Sequence, residues 1–399
     1  MARILIVNNN MHLGGVQKSL LNLLRQLSGT ADVTLLLLHR GGELLEGIPQ
    51  DVPVLEACPA LRCWGMTRDD ARGLGQSLRR SFWAATARLA GRGPAFALAA
   101  RRQDRIQGFD VAVSFLHSGN PKAFYGGCAE LVLSCVDAPR KLCVLHNDYR
   151  EIQADSLYNR RLYNAFDVVA ACSEGCRRAF LEVMPELAGK TAVVPNCIGY
   201  QEVHRQAQEG AAPGLDLLEA PDGCLKVVTV ARLGAEKGVL RAVRAVSELV
   251  RAGLNLRYYV IGDGPQRPAI EEAVKELGLE GSVTLTGQLV NPHPWIAASD
   301  LLLIPSYAEA APLVVVEAAC LGTPALTTRT SSAVEMVEKT GYGWVCDNTD
   351  EAIKEALSYL AARPHLIDQR HRALLGLTFD DALARQRFLD VALGGDEAC

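Results

Sequence analysis

The feature that most constrains the fold of this chain is a repeated alternation of short apolar runs and amphipathic helical segments. Continuous apolar runs are typical of strands that are covered on both faces of a parallel sheet. The first run is followed by a segment in which Val16, Leu20 and Leu24 share one helical face. Such alternation predicts an α/β fold with parallel sheets. The predicted strands are residues 4–7, 33–38, 111–115, 142–145, 168–171, 227–230, 257–261, 283–286, 301–304 and 325–327.

The alternation is interrupted between residues 201 and 223, where Gly, Pro and Ala replace the periodic pattern. A chain of 399 residues is too long for one ordinary domain and fits two. We therefore predict an N-terminal Rossmann-like domain over residues 1–200, a linker over 201–223 and a C-terminal Rossmann-like domain over 224–377. A helix and a tail are expected over residues 378–399.

Composition restricts the class of protein. Hydrophobic residues make up 49% and charged residues 22%, which is typical of a globular chain. The formal net charge of −4 argues against nucleic acid as the main partner. No apolar run approaches the roughly 18–20 residues that span a bilayer, and the N-terminus enters a strand without a signal-peptide pattern. The twelve cysteines are scattered and form no zinc pattern. We expect a cytoplasmic protein with reduced cysteines and no metal site.

The segment richest in chemical signals follows the predicted strand 301–304. Pro312 suits the first turn of a helix, because its missing N–H would be unpaired there anyway. The backbone N–H groups of Leu313 and Val314 would then be free to bind an anion, favoured by the helix dipole. Glu309 precedes this helix and Glu317 lies within it. Two carboxylates would thus bracket an anion site at the carboxyl edge of a parallel sheet, where ligands bind.

Three other segments end at the same predicted sheet edge. Arg232 and Lys237 follow one strand and supply two cations that could neutralise a diphosphate. A glycine turn over residues 260–264 would permit close backbone approach, and residues 285–289 repeat that arrangement one strand later. Each signal alone is weak, but the four in this order are specific.

In this order the motifs resemble those of the retaining GT-B glycosyltransferases of family 4, also called glycosyl transferases group 1. Residues 231–238 resemble the family's Gly-Arg-Leu-x-x-x-Lys-Gly element, and residues 262–264 its Gly-x-Gly turn. The spacing of Glu309 and Glu317 is similar to its Glu-x(7)-Glu motif. The resemblance implies two Rossmann-like domains facing each other across a cleft, with a C-terminal helix packing back on the N-terminal domain.

The resemblance also implies the reaction. A hexosyl group would pass from a UDP- or GDP-linked sugar to a glycan or lipid-linked acceptor, with retention of anomeric configuration. No metal and no other cofactor would be required. Such chemistry would place the protein in polysaccharide or cell-envelope biosynthesis.

Residue roles follow from the same resemblance. Arg232 and Lys237 would hold the diphosphate, Glu309 would face the transferred sugar and Glu317 would hold the ribose. His146 matches the family's active-site histidine, and His117, which also ends a predicted strand, is the weaker candidate. The implied catalytic residues are His146, Glu309, Arg232 and Lys237. The implied donor-binding residues are Gly14, Gly15, Gly262, Gln288, Leu289, Leu313, Val314 and Glu317.

Other functions remain open at this point. Another GT-B reaction, such as a nucleotide-sugar epimerase or a phosphorylase, would use the same fold, although a phosphorylase normally needs a much longer chain. A non-catalytic scaffold that binds nucleotide sugars is a further alternative. A dehydrogenase is disfavoured, because the first loop lacks a Gly-x-Gly-x-x-Gly pattern. Ala310 and Ala311 stand where the family usually has Gly, which leaves the identity of the sugar open.

Residues 72–105 differ from the rest of the chain. They contain eight arginines and one acid, Asp104, interleaved with Phe82, Trp83 and Phe96. This pattern predicts a basic, amphipathic, helical stretch. One interpretation is peripheral docking on an anionic membrane at the inner face, and the other is a helical hairpin that packs on the N-terminal domain.

Overall fold

A computed structural model describes residues 2–71, 73–120, 124–152, 154–209 and 223–395. The chain divides into two compact units, Met1–Cys197 with Asp381–Cys399, and Ile198–Asp380. Each unit contains one parallel sheet with helices on its faces, so the predicted α/β fold with two domains is confirmed.

The first unit is built on a seven-stranded parallel sheet with the order β3-β2-β1-β4-β5-β6-β7. Its strands are buried apolar runs, as the sequence predicts. They are β1 (Arg3–Asn8), β2 (Asp32–Leu37), β3 (Val54–Glu56), β4 (Val111–Ser114), β5 (Arg140–Leu145), β6 (Val168–Ala171) and β7 (Thr191–Val193). The helices that connect them are α1 (Gly15–Leu27), α2 (Pro59–Gly65), α3 (Leu74–Ala90), α4 (Arg92–Ala100), α5 (Cys128–Cys135), α6 (Leu157–Asn164) and α7 (Glu174–Val183).

The second unit is built on a six-stranded parallel sheet with the order β10-β9-β8-β11-β12-β13. Its strands are β8 (Leu225–Val230), β9 (Leu256–Ile261), β10 (Val283–Gly287), β11 (Leu301–Ile304), β12 (Ala325–Thr328) and β13 (Gly343–Cys346). Its helices are α8 (Tyr200–Gln208), α9 (Val239–Arg251), α10 (Arg267–Glu276), α11 (His293–Ala297), α12 (Leu313–Cys320), α13 (Asp350–Ala361) and α14 (Pro364–Leu375).

The last helix, α15 (Ala382–Leu393), returns to the first unit. Phe388 and Val391 are buried in the core cluster that also contains residues of α1 and the sheet. The Arg140 guanidinium of β5 donates a hydrogen bond to the Val391 carbonyl. The predicted packing of the C-terminal helix on the N-terminal domain is therefore confirmed.

The boundary between the units differs from the predicted one. The change of unit lies at Cys197–Ile198, and the segment predicted as a linker, residues 201–223, begins inside helix α8 of the second unit. Asn291 reinforces this assignment by donating a hydrogen bond to the Gln206 carbonyl at the end of α8. Residues 210–222 of the predicted linker lie outside the described residues.

Strand order reverses once in each sheet, and this reversal determines where ligands can bind. In the first sheet the reversal lies between β1 and β4, and in the second between β8 and β11. Loops on the two sides of such a point leave in opposite directions and open a crevice at the carboxyl ends of the strands. The loops that follow β8 and β11 carry the charged residues singled out from the sequence.

Candidate functional site

Two loops meet at the strand reversal of the second unit. The loop after β8 runs to Gly238 and the loop after β11 runs from Pro305 to Pro312. They are joined directly, since the Tyr307 N–H donates a 2.8 Å hydrogen bond to the Glu236 carbonyl. Gly238 has a φ of +63°, and a Cβ there would lie 2.0 Å from the Pro305 carbonyl oxygen. Only glycine permits this close approach of the two loops.

Lys237 and Glu309 form the ion pair at the centre of this arrangement. The Lys237 ammonium lies 2.8 Å from a Glu309 carboxylate oxygen, and the Glu309 side chain is only 11% exposed. Ser306 donates a second hydrogen bond to the same oxygen at 2.7 Å. The Ser331 hydroxyl donates to the Glu309 backbone carbonyl at 2.7 Å. The carboxylate is therefore fixed in position by its own loop, by the lysine and by the loop after β12.

Arg232 lies in the same loop as Lys237 but in a different environment. Its side chain is 66% exposed and forms an ion pair with Glu236 at 2.6 Å. A surface pair of this kind holds the guanidinium weakly and leaves it free to change partner. The structure thus brings Lys237 and Glu309 together, and it leaves Arg232 as an exposed second cation in the same loop as Lys237.

Helix α12 begins at Leu313, directly after Pro312, as the sequence predicts. The N–H groups of Leu313 and Val314 lie in the first turn, where a helix offers its own amides no carbonyl partner. Together with the dipole of the helix, these amides provide a favourable position for an anion. Glu317 lies one turn further along and is buried.

Sequence reasoning missed a buried histidine beside Glu317. The His293 Nε2 atom lies 3.6 Å from a Glu317 carboxylate oxygen, and His293 is 3% exposed. The Asn291 side-chain oxygen lies 3.1 Å from both the His293 N–H and its Nδ1 atom. The Asn-Pro-His segment therefore orients the imidazole toward Glu317. A single histidine after an Asn-Pro pair gives no separate signal in the sequence.

A second residue missed from the sequence is Arg241, whose side chain is 2% exposed. Its Nε donates a 2.7 Å hydrogen bond to the Pro305 carbonyl, and its guanidinium carbon lies 3.8 Å from the centre of the Tyr307 ring. It also donates to the side-chain oxygen of Asn348, whose amide in turn donates to the Tyr307 carbonyl. Burial lowers the pKa of Arg241. Arg241 and Asn348 thus hold the loop that carries Glu309.

The predicted glycine turn follows β9 and is sterically required. Gly262 has a φ of +143°, and a Cβ there would lie 1.8 Å from the Ala231 carbonyl oxygen. Its N–H donates to the Gly287 carbonyl at the end of β10. Beyond that residue, Gln288 is exposed and Leu289 is half-buried against the core of the unit. These backbones follow one another along a single edge of the sheet.

The remaining predicted residues lie in the first unit. Gly14 and Gly15 begin α1, directly after the loop that follows β1. Gly14 has an extended backbone with φ of −170°, and a Cβ on Gly15 would meet no atom within 4 Å. Neither glycine is required by its backbone conformation. No side chain caps the start of α1 with a hydrogen bond.

His146 and His117 follow the neighbouring strands β5 and β4. The pKa of His146 is lowered to about 3, mainly by burial and to a smaller extent by the neighbouring His117. A hydrogen bond with the Phe115 backbone acts in the opposite direction and raises this pKa. Burial lowers the pKa of His117 to about 4. His146 Nε2 and His117 Nδ1 are buried without a hydrogen-bond partner among the described residues. His117 Nε2 contacts the Asn147 amide at 3.1 Å. Both imidazoles are therefore neutral at physiological pH.

Comparisons with known proteins show similarity to glycosyltransferases over part of the chain. Residues 218–373 match the family model described as glycosyl transferases group 1. The 2-deoxystreptamine glucosyltransferase of Streptomyces kanamyceticus is 37% identical over 131 residues, which are 32% of this chain and 31% of that protein. The GDP-mannose-dependent alpha-(1-6)-phosphatidylinositol dimannoside mannosyltransferase of Mycobacterium tuberculosis is 30% identical over 223 residues, 54% of this chain and 53% of its own. The chain thus matches about a third to a half of the length of these curated relatives.

A solved structure extends the comparison to the whole chain. The Anabaena protein HepE, in complex with UDP and glucose, superimposes with a TM-score of 0.68 over 99% of this chain and 100% of its own, at 17% identity. Likeness at this identity shows the fold, which is the α/β two-domain fold of the GT-B class. The family model supports the predicted resemblance to glycosyl transferases group 1 over residues 218–373.

Proposed function

We propose that this chain is a retaining glycosyltransferase that transfers a hexosyl group from a nucleotide sugar to a glycan or lipid-linked acceptor. The observation that carries the proposal is the Lys237–Glu309 ion pair at the strand reversal of the second unit. A nucleotide sugar joins a polyhydroxylated ring to a diphosphate. In this pair a carboxylate, which can accept hydrogen bonds from sugar hydroxyls, lies 2.8 Å from a cation, which can bind phosphate.

The roles of the residues follow from their charges and positions. Lys237, supported by Arg232, would neutralise the diphosphate as the bond to the anomeric carbon breaks and negative charge develops on the leaving oxygen. The amides of Leu313 and Val314 would bind a phosphate oxygen. Glu309 would accept hydrogen bonds from sugar hydroxyls and Glu317 from the ribose. We also propose that Gly14, Gly15 and His146 lie close to the sugar and the phosphates, as the family resemblance implies.

The relatives support this substrate class without fixing the donor. One is named for GDP-mannose and for a phosphatidylinositol acceptor, and the Anabaena structure holds UDP and glucose. We therefore propose a UDP- or GDP-linked hexose as donor, bound at its base by the backbone near Gln288 and Leu289. A role in polysaccharide or cell-envelope biosynthesis at the cytoplasmic face of a membrane is part of the same proposal.

The proposed reaction requires no metal, because Lys237, Arg232 and the helix-start amides supply the positive charge that a leaving diphosphate needs. Activity is expected to persist in excess EDTA. Complete loss on chelation with recovery on adding magnesium or manganese would contradict this part of the proposal.

The decisive experiment is a screen of UDP-, GDP- and ADP-linked sugars by thermal shift, followed by NMR of the product formed with the sugar that binds. The expected result is stabilisation by one nucleotide, transfer of its sugar and an unchanged anomeric configuration. A scaffold would bind without turnover, and an epimerase would convert the donor sugar without transferring it. Inversion of the anomeric centre would contradict the retaining mechanism.

A further inference from the structure

Helix α3 leaves one of its faces uncovered. Leu74, Leu78, Phe82 and Leu89 are 86%, 69%, 57% and 89% exposed. Their spacing of four, four and seven residues places them along one line of the helix, which we call the apolar stripe. Large apolar side chains scattered singly over a surface are ordinary, but a continuous line of them marks a site of interaction.

Arginines flank the apolar stripe on both sides. Each residue turns the helix by about 100°, so Leu74 and Phe82 lie at the two edges of the stripe around the helix axis. Arg79 lies next to the edge formed by Phe82, and Arg88 lies next to the edge formed by Leu74. Both side chains are exposed. Helix α3 contains no Asp or Glu, so no acidic residue of the helix offsets this charge. The face therefore combines an apolar centre with positive margins.

The other side of α3 is fixed to the first unit. Ala87 is buried, and the Arg80 Nε donates a 3.2 Å hydrogen bond to the Met66 carbonyl. The Arg80 guanidinium also lies 5.7 Å from the centre of the Phe124 ring. The helix packs on α2 and α4 through this side. The apolar stripe is thus held outward by the packing of the opposite face.

The second helix of the hairpin does not share this surface. Arg92 of α4 is buried and forms an ion pair with Glu130 at 2.5 Å, while Phe96 is 2% exposed. Beyond α4, Arg105 is paired with Asp137. Arg72 lies outside the described residues. The apolar stripe of residues 72–105 therefore belongs to α3, whereas Arg92 and Phe96 of α4 are part of the interior of the first unit.

We propose that the apolar stripe and its two arginines form a docking surface for an anionic lipid bilayer. The helix would lie in the plane of the interface, with Leu78 and Phe82 in the acyl boundary and Arg79 and Arg88 at the phosphates. Charge complementarity selects this occupant: a second copy of the stripe would bring like charges together. Within the described parts of the chain, no helix has the length and apolar content to cross a bilayer. The docking is therefore peripheral.

The test is co-sedimentation of the full chain with vesicles of phosphatidylcholine alone and of phosphatidylcholine with 30% phosphatidylglycerol. Binding is expected with the anionic vesicles only, and it should fall as salt is raised, because exposed charges are screened over about 8–10 Å. Leu78→Ser with Phe82→Ser, and separately Arg79→Gln with Arg88→Gln, should each weaken partitioning roughly 10-fold or more.

Matched controls lie elsewhere on the first unit. Leu383→Ser on α15 and Arg178→Gln on α7 change exposed residues of the same types and should leave partitioning unchanged. Thermal melts establish that each variant is folded.

Absence of binding to anionic vesicles, equal binding to both vesicle types, or binding unchanged by the α3 variants would each overturn the proposal. Sedimentation velocity adds a further arm: a dimer that the Leu78 and Phe82 changes dissociate would identify a second copy as the occupant and overturn it too. None of these outcomes depends on the proposed donor site.

Discussion

The loops at the carboxyl ends of the two sheets differ in how their polar side chains are satisfied. In the second unit Lys237 and Glu309 are charged and paired, and the buried Arg241 holds their loops in place. In the first unit His117 and His146 are uncharged, and each has a buried ring nitrogen without a partner among the described residues. Paired charges prepare a surface for an ionic ligand, whereas neutral imidazoles suit hydroxyl groups. The anionic part of a nucleotide sugar is therefore expected to bind the second unit.

The largest effect should come from Gly262 in the second unit, whose surroundings differ from those of Gly15 in the first. Gly262→Ala is expected to lower the free energy of unfolding by about 3 kcal/mol or more, because its Cβ would overlap the Ala231 carbonyl oxygen at a positive φ. Gly15→Ala, whose Cβ meets no atom, should change it by less than about 1 kcal/mol. Urea unfolding of both variants measures the difference. Equal losses would show that the two glycines are not distinguished by backbone geometry.

The second comparison separates the two cations of the loop after β8. Lys237→Ala should weaken nucleotide binding by about 1.5–3 kcal/mol, because the diphosphate would lose a charge-assisted contact with a fixed, half-buried cation. Arg232→Ala should cost less than about 1 kcal/mol, since its side chain is exposed and already paired at the surface. Isothermal titration with UDP and GDP measures both variants. An Arg232 effect as large as that of Lys237 would contradict this distinction between a fixed and an exposed cation.

The histidines of the first unit should make stability depend on pH. Their folded-state pKa values are depressed to about 3 and 4, so the unfolded chain binds more protons between there and the ordinary pKa of about 6.5. Stability should therefore fall as pH is lowered through this window, by about 1 kcal/mol per histidine between pH 7 and 5.5. His146→Gln should flatten the slope, and His365→Gln, an exposed histidine of α14, should not. Equal slopes in the two variants would contradict the assignment.

Much of the architecture could be predicted because buried parallel strands leave a local signal. The apolar runs that became β1, β2 and β11, for example, are continuous and flanked by loop residues. Two strands at the sheet edges, β3 and β13, were missed, whereas the edge strand β10 was predicted. β3 has three residues and β13 has four, and both are partly exposed. Their pairing depends on the neighbouring strand rather than on their own sequence, so periodicity could not identify them.

The candidate site was predictable to a similar extent. Lys237 and Glu309 were expected near one sheet edge, because the ends of parallel strands share an edge. Their direct contact joins residues 72 positions apart and depends on the path of both loops. Arg241 gave no signal, because it lies outside the apolar face of α9 and is buried by tertiary contacts with the loop after β11 and with Asn348. Contacts that arise from tertiary packing have no trace in local pattern.

A smaller effect than that of Gly262→Ala is expected for Arg241→Lys, which keeps the charge and removes the planar guanidinium. A lysine can replace one hydrogen bond, to Pro305 or to Asn348, but not both at once, and it loses the stacking on Tyr307. The loss in free energy of unfolding should be about 1–2 kcal/mol, from one hydrogen bond and the stacking together. Because the loop that carries Glu309 would loosen, the KM for the donor sugar should rise a few-fold while kcat changes less. Arg244→Lys, an exposed arginine one turn further along α9, is the matched control. If both variants behave like the parent chain in unfolding and in KM, the Arg241 contacts do not position Glu309.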